Sequence, residues 1–231
     1  FIFLIFGIIL FGEKRLNSED NQLVKDKKYL IKVISPKVDI NRFYNIDSEY
    51  EIVNDLIHLS KPNKSIPTIF IWPEGMLTST NLKDIHYYKD LFQLNFSNKH
   101  LIVLGINDVK KDSNLKIYNS LAIVDNNLNV LNYYQKNNLV PFGEFLPMEN
   151  FLSKIGLKTI TNNYQSFSKG KERKIISIKN QNFDLSFLPL ICYEIIYSGK
   201  LKKTNNFDFI INISEDGWFG NSIGPYQHFS H

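Results

Sequence analysis

Seven short apolar runs, rich in β-branched and aromatic residues, recur along the chain and constrain its fold most strongly. Several of them are continuously apolar, which is typical of strands that are buried on both faces of a sheet. We therefore predict strands at Tyr29–Ser35, Thr68–Trp72, His100–Asn107, Tyr118–Asp125, Val130–Gln135, Phe183–Ile191 and Asp208–Ile213.

Two helical segments are predicted between these strands. Ser48 and Glu51 are spaced as a capping box, and the apolar side of the helix that follows contains Ile52, Leu56 and Leu59. A second helix is predicted from Asp84 to about Phe96. Strands that alternate with helices indicate a layered α/β domain. With 231 residues, 43% of them hydrophobic and 22% charged, the chain can bury a sizeable core, which excludes a disordered segment or a disulfide scaffold.

The start of the chain is apolar from Phe1 to Gly12, and charged residues follow. A twelve-residue helix spans about 18 Å, which is shorter than the roughly 30 Å core of a bilayer. We expect residues 1–12 to be the end of a transmembrane helix, residues 13–28 a linker, and residues 29–231 one domain that is truncated at its C-terminal end. A buried helix at residues 1–12 is the alternative. The net charge of +4 is scattered and too small to indicate nucleic-acid binding.

The only cysteine of the chain, Cys192, ends an apolar strand where a turn and a helix are predicted to follow. A single buried cysteine is most often a small apolar residue. A cysteine at a strand-to-helix turn, however, is exposed at the edge of the sheet, and a nearby helix N-terminus stabilises its thiolate. We therefore treat Cys192 as a candidate nucleophile, with the carboxylate of Glu194 at the same turn.

Two further charged residues also end predicted strands. Glu74 follows Pro73, which ends the strand before it, and Lys136 precedes a turn-rich segment. Taken alone, each residue would be interpreted as a charged side chain that is exposed to solvent at the end of a strand. Strand ends gather at one edge in α/β folds, so Glu74, Lys136 and Cys192 are predicted to meet there.

Four sequence motifs indicate a resemblance to a known family. They are WPEG at 72–75, Lys136 before LVPFGEFLP, CYE at 192–194 and NISEDGWFGNSIGPYQHF at 212–229. In this order and spacing they resemble the carbon–nitrogen hydrolase (nitrilase) superfamily, and more closely its membrane-bound branch, the apolipoprotein N-acyltransferases. The resemblance implies a four-layer αββα sandwich. Glu215 stands where the family usually has Asn, which adds a negative charge near the expected site.

The resemblance also implies roles for individual residues. Glu74 would be the general base, Lys136 the oxyanion and orientation group, and Cys192 the nucleophile. The two further carboxylates that the family needs would be Glu144 and Glu194. Aromatic positions near the active centre match Tyr193 and Trp218, of which Trp218 could equally be part of the core.

The reaction implied by the resemblance is an acyl transfer without a cofactor or metal. A phospholipid would donate an acyl chain to Cys192, and the thioester would pass it to the N-terminal amine of a diacylglyceryl-modified apolipoprotein. The expected location is the bacterial inner membrane, with a multi-pass full-length protein and this domain on the periplasmic side.

Two other interpretations stay open from the sequence. The first is a soluble nitrilase-type amidase that acts on small amides with the same three residues. The second is an inactive membrane-bound interaction module, an interpretation that Glu215 favours and that Glu74, Lys136 and Cys192 oppose. His228 and His231 form an H-x-x-H pair, but no third ligand is apparent, so a metal site is not expected.

Overall fold

A computed structural model describes residues 6–7, 10–11, 13, 29–36, 49–111, 115–145, 147, 166–200, 207–220, 222–224 and 226. Its strands are β1 (Leu30–Val33), β2 (Thr68–Ile71), β3 (Leu77–Asn81), β4 (His100–Lys111), β5 (Leu115–Val124), β6 (Val130–Gln135), β7 (Ile176–Lys179), β8 (Asp184–Ile191) and β9 (Phe209–Ile213). Its α-helices are α1 (Glu49–Ser60) and α2 (Lys89–Asn95), and 3-10 helices cover Ile85–Tyr88, Cys192–Lys200 and Asp216–Phe219.

The strands form two sheets. The larger has the order β1-β2-β4-β5-β6, and β3 pairs with the second half of β4, beyond the end of β2. Its strands β1, β2, β3 and β4 run parallel, whereas β4, β5 and β6 are antiparallel. The smaller sheet has the order β7-β8-β9, in which β8 and β9 are parallel. Both sheets therefore contain parallel and antiparallel pairs of strands.

The two sheets pack face to face through an apolar layer. Val103 and Leu121 of the larger sheet belong to the same buried cluster as Leu185, Phe187 and Ile211 of the smaller sheet. The opposite face of the larger sheet packs against the helices in a second cluster that includes Leu56, Trp72 and Phe92. The described residues thus form an α-β-β arrangement, which fits three layers of the expected αββα sandwich.

The predicted strands are confirmed, and β6 has the predicted bounds. Two strands were not predicted, Leu77–Asn81 and Ile176–Lys179. Both helices are confirmed, although the first turn of the second one is a 3-10 helix at Ile85–Tyr88. The predicted inward position of Leu59 is wrong, because 47% of it is exposed. Ser48 of the predicted capping box lies outside the described residues.

The apolar start is only partly covered by the structure. Phe6, Leu10 and Phe11 are helical and exposed. Within the residues that the structure describes, we find no helix with the length and apolar character needed to cross a membrane.

Candidate active site

Three strand ends bring the predicted triad together. Glu74 follows β2, Lys136 directly follows β6, and Cys192 directly follows β8. The ammonium of Lys136 lies 3.9 Å from Oε1 of Glu74, and the side chains of Glu74 and Cys192 are hydrogen-bonded. The structure therefore brings the three predicted residues together at one edge.

Glu74 is placed by close backbone packing. Pro73 lies beyond the last residue of β2, and the chain turns at Gly75, whose φ of 69° is in the left-handed region that favours glycine. On β4, a Cβ atom at Gly105 would lie 2.8 Å from the Cα atom of Glu74. The absence of a side chain at Gly105 therefore lets the segment that carries Glu74 approach the sheet.

Lys136 is held by two carboxylates and is 99% buried. Its Nζ atom lies 2.9 Å from Oε1 of Glu144, in addition to its longer contact with Glu74. Glu144 comes from a tight turn in which its N–H donates to the Val140 carbonyl at 2.8 Å. The Val140 N–H in turn donates to Oε2 of Glu144 at 2.9 Å. The turn thus points the Glu144 carboxylate at the lysine.

Asn119 joins the two carboxylates and was not among the residues predicted from the sequence. Its Nδ2 atom donates to Oε1 of Glu74 at 2.6 Å and to Oε1 of Glu144 at 3.0 Å. It lies on β5, where its carbonyl accepts the Lys136 N–H at 2.8 Å. The pair of polar residues Asn119 and Ser120 at the start of an apolar run, YNSLAIV at 118–124, was the available signal.

Cys192 has a backbone conformation that is unusual for its type. Its φ of 53° is left-handed, which costs a residue with a side chain roughly 1–3 kcal/mol. Its thiol is hydrogen-bonded to Glu74 and Ser214, and Nδ2 of Asn212 donates to its carbonyl at 3.3 Å. Such a turn at a strand end holds a nucleophile out of the sheet.

The thiol of Cys192 is protonated at neutral pH. Burial, reinforced by the charge of Glu74, raises its pKa to about 12, and the nearby Lys136 only partly offsets this. The expectation of a thiolate stabilised by a helix N-terminus is therefore wrong. Nucleophilic attack by this sulfur needs a base that removes its proton during the reaction.

Glu74 has the properties of such a base. Burial raises the pKa of its carboxyl, and the charge of Lys136 and the hydrogen bond from Asn119 act in the opposite direction. For Lys136, burial alone would lower the pKa, but the charges of Glu74 and Glu144 outweigh it, so its pKa is raised. The site therefore holds a permanent cation beside a carboxylate of increased basicity.

Glu194 has a different set of partners from the other predicted carboxylates. It is fully buried, and its Oε1 atom accepts from the hydroxyl of Tyr134 at 2.8 Å and from the N–H of Asn138 at 2.9 Å. Its Oε2 atom accepts from the N–H of Ile191 at 3.0 Å. These contacts link the chain just before Cys192 to the chain just after Lys136.

The structure describes the surroundings of the remaining candidate residues, Tyr193 and Trp218, less completely. Tyr193 is 37% exposed beside the nucleophile. Trp218 lies in the 3-10 helix Asp216–Phe219, and its side chain is outside the described part. The Glu215 carboxylate accepts the Gly217 N–H at 2.8 Å, capping this helix, which gives its position a local structural reason.

Metal binding has little support in the described part of the chain. No group of three or more His, Cys, Asp or Glu side chains there could hold an ion. His228 and His231 lie outside the described residues.

Comparison with known families agrees with this geometry. The family described as carbon-nitrogen hydrolase matches residues 68–231, which is more than half of the chain and includes every residue of the site. The chain belongs to the carbon-nitrogen hydrolase family.

Among solved structures, the alignment with an amidase of Nesterenkonia sp. AN1 covers 87% of this chain and 72% of the amidase chain, at a TM-score of 0.53 and 11% identity. Protein XC1258 of Xanthomonas campestris, a CN-hydrolase superfamily protein, covers 80% and 64% at a TM-score of 0.50 and 11% identity. At these identities the similarity shows the nitrilase-like fold alone.

Sequence relatives point to one branch of this carbon-nitrogen hydrolase family. The chain is 32% identical over 228 residues to an apolipoprotein N-acyltransferase of Rickettsia prowazekii, an alignment that covers 96% of the chain and 43% of that protein. A protein of the same name from Bradyrhizobium diazoefficiens is 30% identical over 237 residues, covering 97% and 43%. The branch predicted from the sequence phrases is confirmed. The chain spans less than half the length of these relatives.

Proposed function

We propose that this chain is the acyl-transferring part of an apolipoprotein N-acyltransferase. The observation that carries the proposal is the hydrogen bond between the Cys192 thiol and Glu74, beside a buried ammonium from Lys136. Sequence similarity over 96% of the chain to proteins of that name supports this choice over a soluble amidase. An intact nucleophile, base and cation also argue against an inactive interaction module.

In the first half of the reaction, Glu74 takes the proton of the Cys192 thiol while sulfur attacks the carbonyl carbon of a phospholipid ester. The negative charge that forms on the carbonyl oxygen is stabilised by Lys136 and by a backbone N–H at the nucleophile turn. The carbon–oxygen bond then breaks, the lysophospholipid alcohol leaves with the proton from Glu74, and the acyl chain remains as a thioester.

In the second half, the N-terminal amine of a diacylglyceryl-modified apolipoprotein attacks the thioester. Its proton passes to Glu74, the carbon–sulfur bond breaks, and the Cys192 sulfur regains a proton. Ping-pong transfer of this type uses one nucleophile for both substrates in turn. An amine attacks a thioester more readily than an oxygen ester, which favours Cys192 over a hydroxyl nucleophile.

The other predicted residues have supporting roles in this proposal. Glu144 fixes the position of the Lys136 ammonium, which it contacts at 2.9 Å. Glu194 acts through the backbone on both sides of the site, so we assign it a positioning role. Tyr193 and Trp218 would lie near the acyl chain. The full-length protein would be a multi-pass protein of the bacterial inner membrane, with residues 1–12 ending a transmembrane helix, residues 13–28 as linker, and residues 29–231 on the periplasmic side.

The test is mass spectrometry of the full-length protein purified from membranes. An acyl mass on the peptide that contains Cys192 is expected in the wild type and absent in Cys192→Ala. Glu74→Gln keeps the shape of the side chain but removes the base, so it should also carry no acyl group. An acyl mass that persists in Cys192→Ala would refute the assignment of the nucleophile. An unmodified Cys192 in a protein that hydrolyses small amides would favour the amidase.

A further inference from the structure

A buried arginine, Arg173, lies beside Glu194. The side chain of Arg173 is only 10% exposed, and its Nη2 atom lies 2.9 Å from Oε1 of Glu194, whose side chain is completely buried. This contact is an ion pair and not an aligned hydrogen bond, because Nη2 has no hydrogen-bond partner of acceptable geometry. The guanidinium also lies over the ring of Tyr134, with 5.7 Å between its carbon atom and the ring centre.

The segment that carries Arg173 is attached to the Lys136 strand end. The Gly170 N–H donates to the Lys136 carbonyl at 2.9 Å. Nδ2 of Asn137 donates to the carbonyls of Gly170 at 3.0 Å and Lys171 at 3.1 Å. A Cβ atom at Gly170 would come within 2.2 Å of the Gln135 carbonyl oxygen, so this approach requires glycine. These hydrogen bonds and the close approach at Gly170 hold the segment that carries Arg173 against the end of β6.

The partner of Arg173 joins the two halves of the active site. Glu194 accepts hydrogen bonds from the N–H group of Ile191, which precedes the nucleophile, and from those of Asn137 and Asn138, which follow Lys136. It also accepts a hydrogen bond from the hydroxyl group of Tyr134. Burial and the charge of Glu194 raise the pKa of Tyr134, so its hydroxyl group stays protonated and can donate this hydrogen bond. This one carboxylate therefore joins the backbone just before Cys192 to the backbone just after Lys136.

We infer that Arg173 is a positioning residue of the Cys192 site. Its guanidinium supplies the buried positive charge that Glu194 needs to hold both strand ends, and through them the geometry between Cys192 and Lys136. A buried carboxylate without a cation would be strongly destabilised and would rearrange towards solvent. The inference rests on the proposed function only in taking Cys192 as the reacting group.

The experiment measures alkylation of Cys192 by iodoacetamide in the full-length protein at 20 °C and neutral pH, followed by mass spectrometry. No lipid is needed, so the result does not depend on acyl transfer. Arg173→Met should lower the alkylation rate about tenfold, because Lys136 lowers the pKa of Cys192, and a rise of about one pKa unit on their separation reduces the reactive thiolate about tenfold. Arg173→Lys keeps the charge and should recover much of the rate. Lys174→Met, at the exposed neighbouring position, is the matched control and should alkylate at the wild-type rate.

A purely structural role gives a different pattern. In that case Arg173→Met would lower the melting temperature and still alkylate at the wild-type rate below it, which would overturn the inference. If Arg173→Met does not fold, Tyr134→Phe replaces it, because this variant removes one donor to Glu194 and keeps the ring. Its rate should fall in the same direction by a smaller factor, and an unchanged rate would contradict the inference. Acylation of the wild type is measured in parallel, and its absence would refute the proposed function alone.

Discussion

Removal of the Asn119 amide should shift the pH dependence of the Cys192 reaction. The Nδ2 atom of Asn119 donates to Glu74 at 2.6 Å, and this hydrogen bond lowers the pKa that burial of Glu74 raises. Asn119→Leu keeps the branched shape of the side chain, is somewhat larger, and has no donor. Without the donor, the charged form of Glu74 loses stabilisation, so its pKa rises further.

The expected size follows from the strength of the lost contact. A hydrogen bond to a charged group contributes about 1.5–3 kcal/mol, and about 1.4 kcal/mol corresponds to one pH unit. Part of the loss is recovered by the remaining contact between Glu74 and Lys136, at 3.9 Å. The acidic limb of the rate profile should therefore move to higher pH by about one unit. At a given pH on the acidic limb, the variant should react about tenfold more slowly than the wild type. At higher pH the two rates should be close.

The assay is alkylation of Cys192 by iodoacetamide between pH 4 and pH 10. Ser120→Ala is the matched control, because Ser120 is the next residue of the same strand, is fully buried and points to the opposite face. Its profile should match that of the wild type. An unmoved acidic limb in a folded Asn119→Leu protein would refute the view that this amide sets the basicity of Glu74.

Two further predictions concern stability and the packing of the site. Gly105→Ala places a Cβ atom 2.8 Å from the backbone of Glu74, so we expect a loss of about 1–3 kcal/mol in urea unfolding and slower alkylation of Cys192; wild-type values for both would contradict the close approach. Glu215→Asn should keep the cap on the Gly217 N–H, whereas Glu215→Leu should lose about 1 kcal/mol in the same unfolding assay. Equal stability of these two Glu215 variants would show that the cap is unimportant.

Most of the fold follows from local sequence pattern. Continuous apolar runs predicted the central strands, because burial on both faces leaves little choice of residue. The strand Leu77–Asn81 was missed because its sequence, LTSTN, is mostly polar and half exposed, and its pairing partner is the distant second half of β4. Ile176–Lys179 was missed because four residues are too short for a period-2 pattern to be convincing. The prediction for Leu59 was wrong because the buried face of α1 is centred on Val53, Leu56 and Ser60.

The site was predictable where chemistry and position coincided. Glu74, Lys136 and Cys192 are charged or nucleophilic residues at strand ends, and the structure brings them together. Asn119 was not predictable in this way, because its partner Glu74 is 45 positions away and nothing local indicates the pairing. The raised pKa of Cys192 was also missed, since it depends on burial and on a distant carboxylate, whereas the sequence indicated only the helix that follows.

The most direct test of Cys192 as the acyl carrier is discharge of the acylated residue by a diacylglyceryl-cysteine peptide. Full-length protein from membranes would be incubated with the peptide, and both would be analysed by mass spectrometry. The acyl mass should leave the Cys192 peptide and appear on the N-terminal amine of the substrate peptide. An acyl group that stays on Cys192 with the peptide present, or transfer that continues in Cys192→Ala, would contradict this role of Cys192.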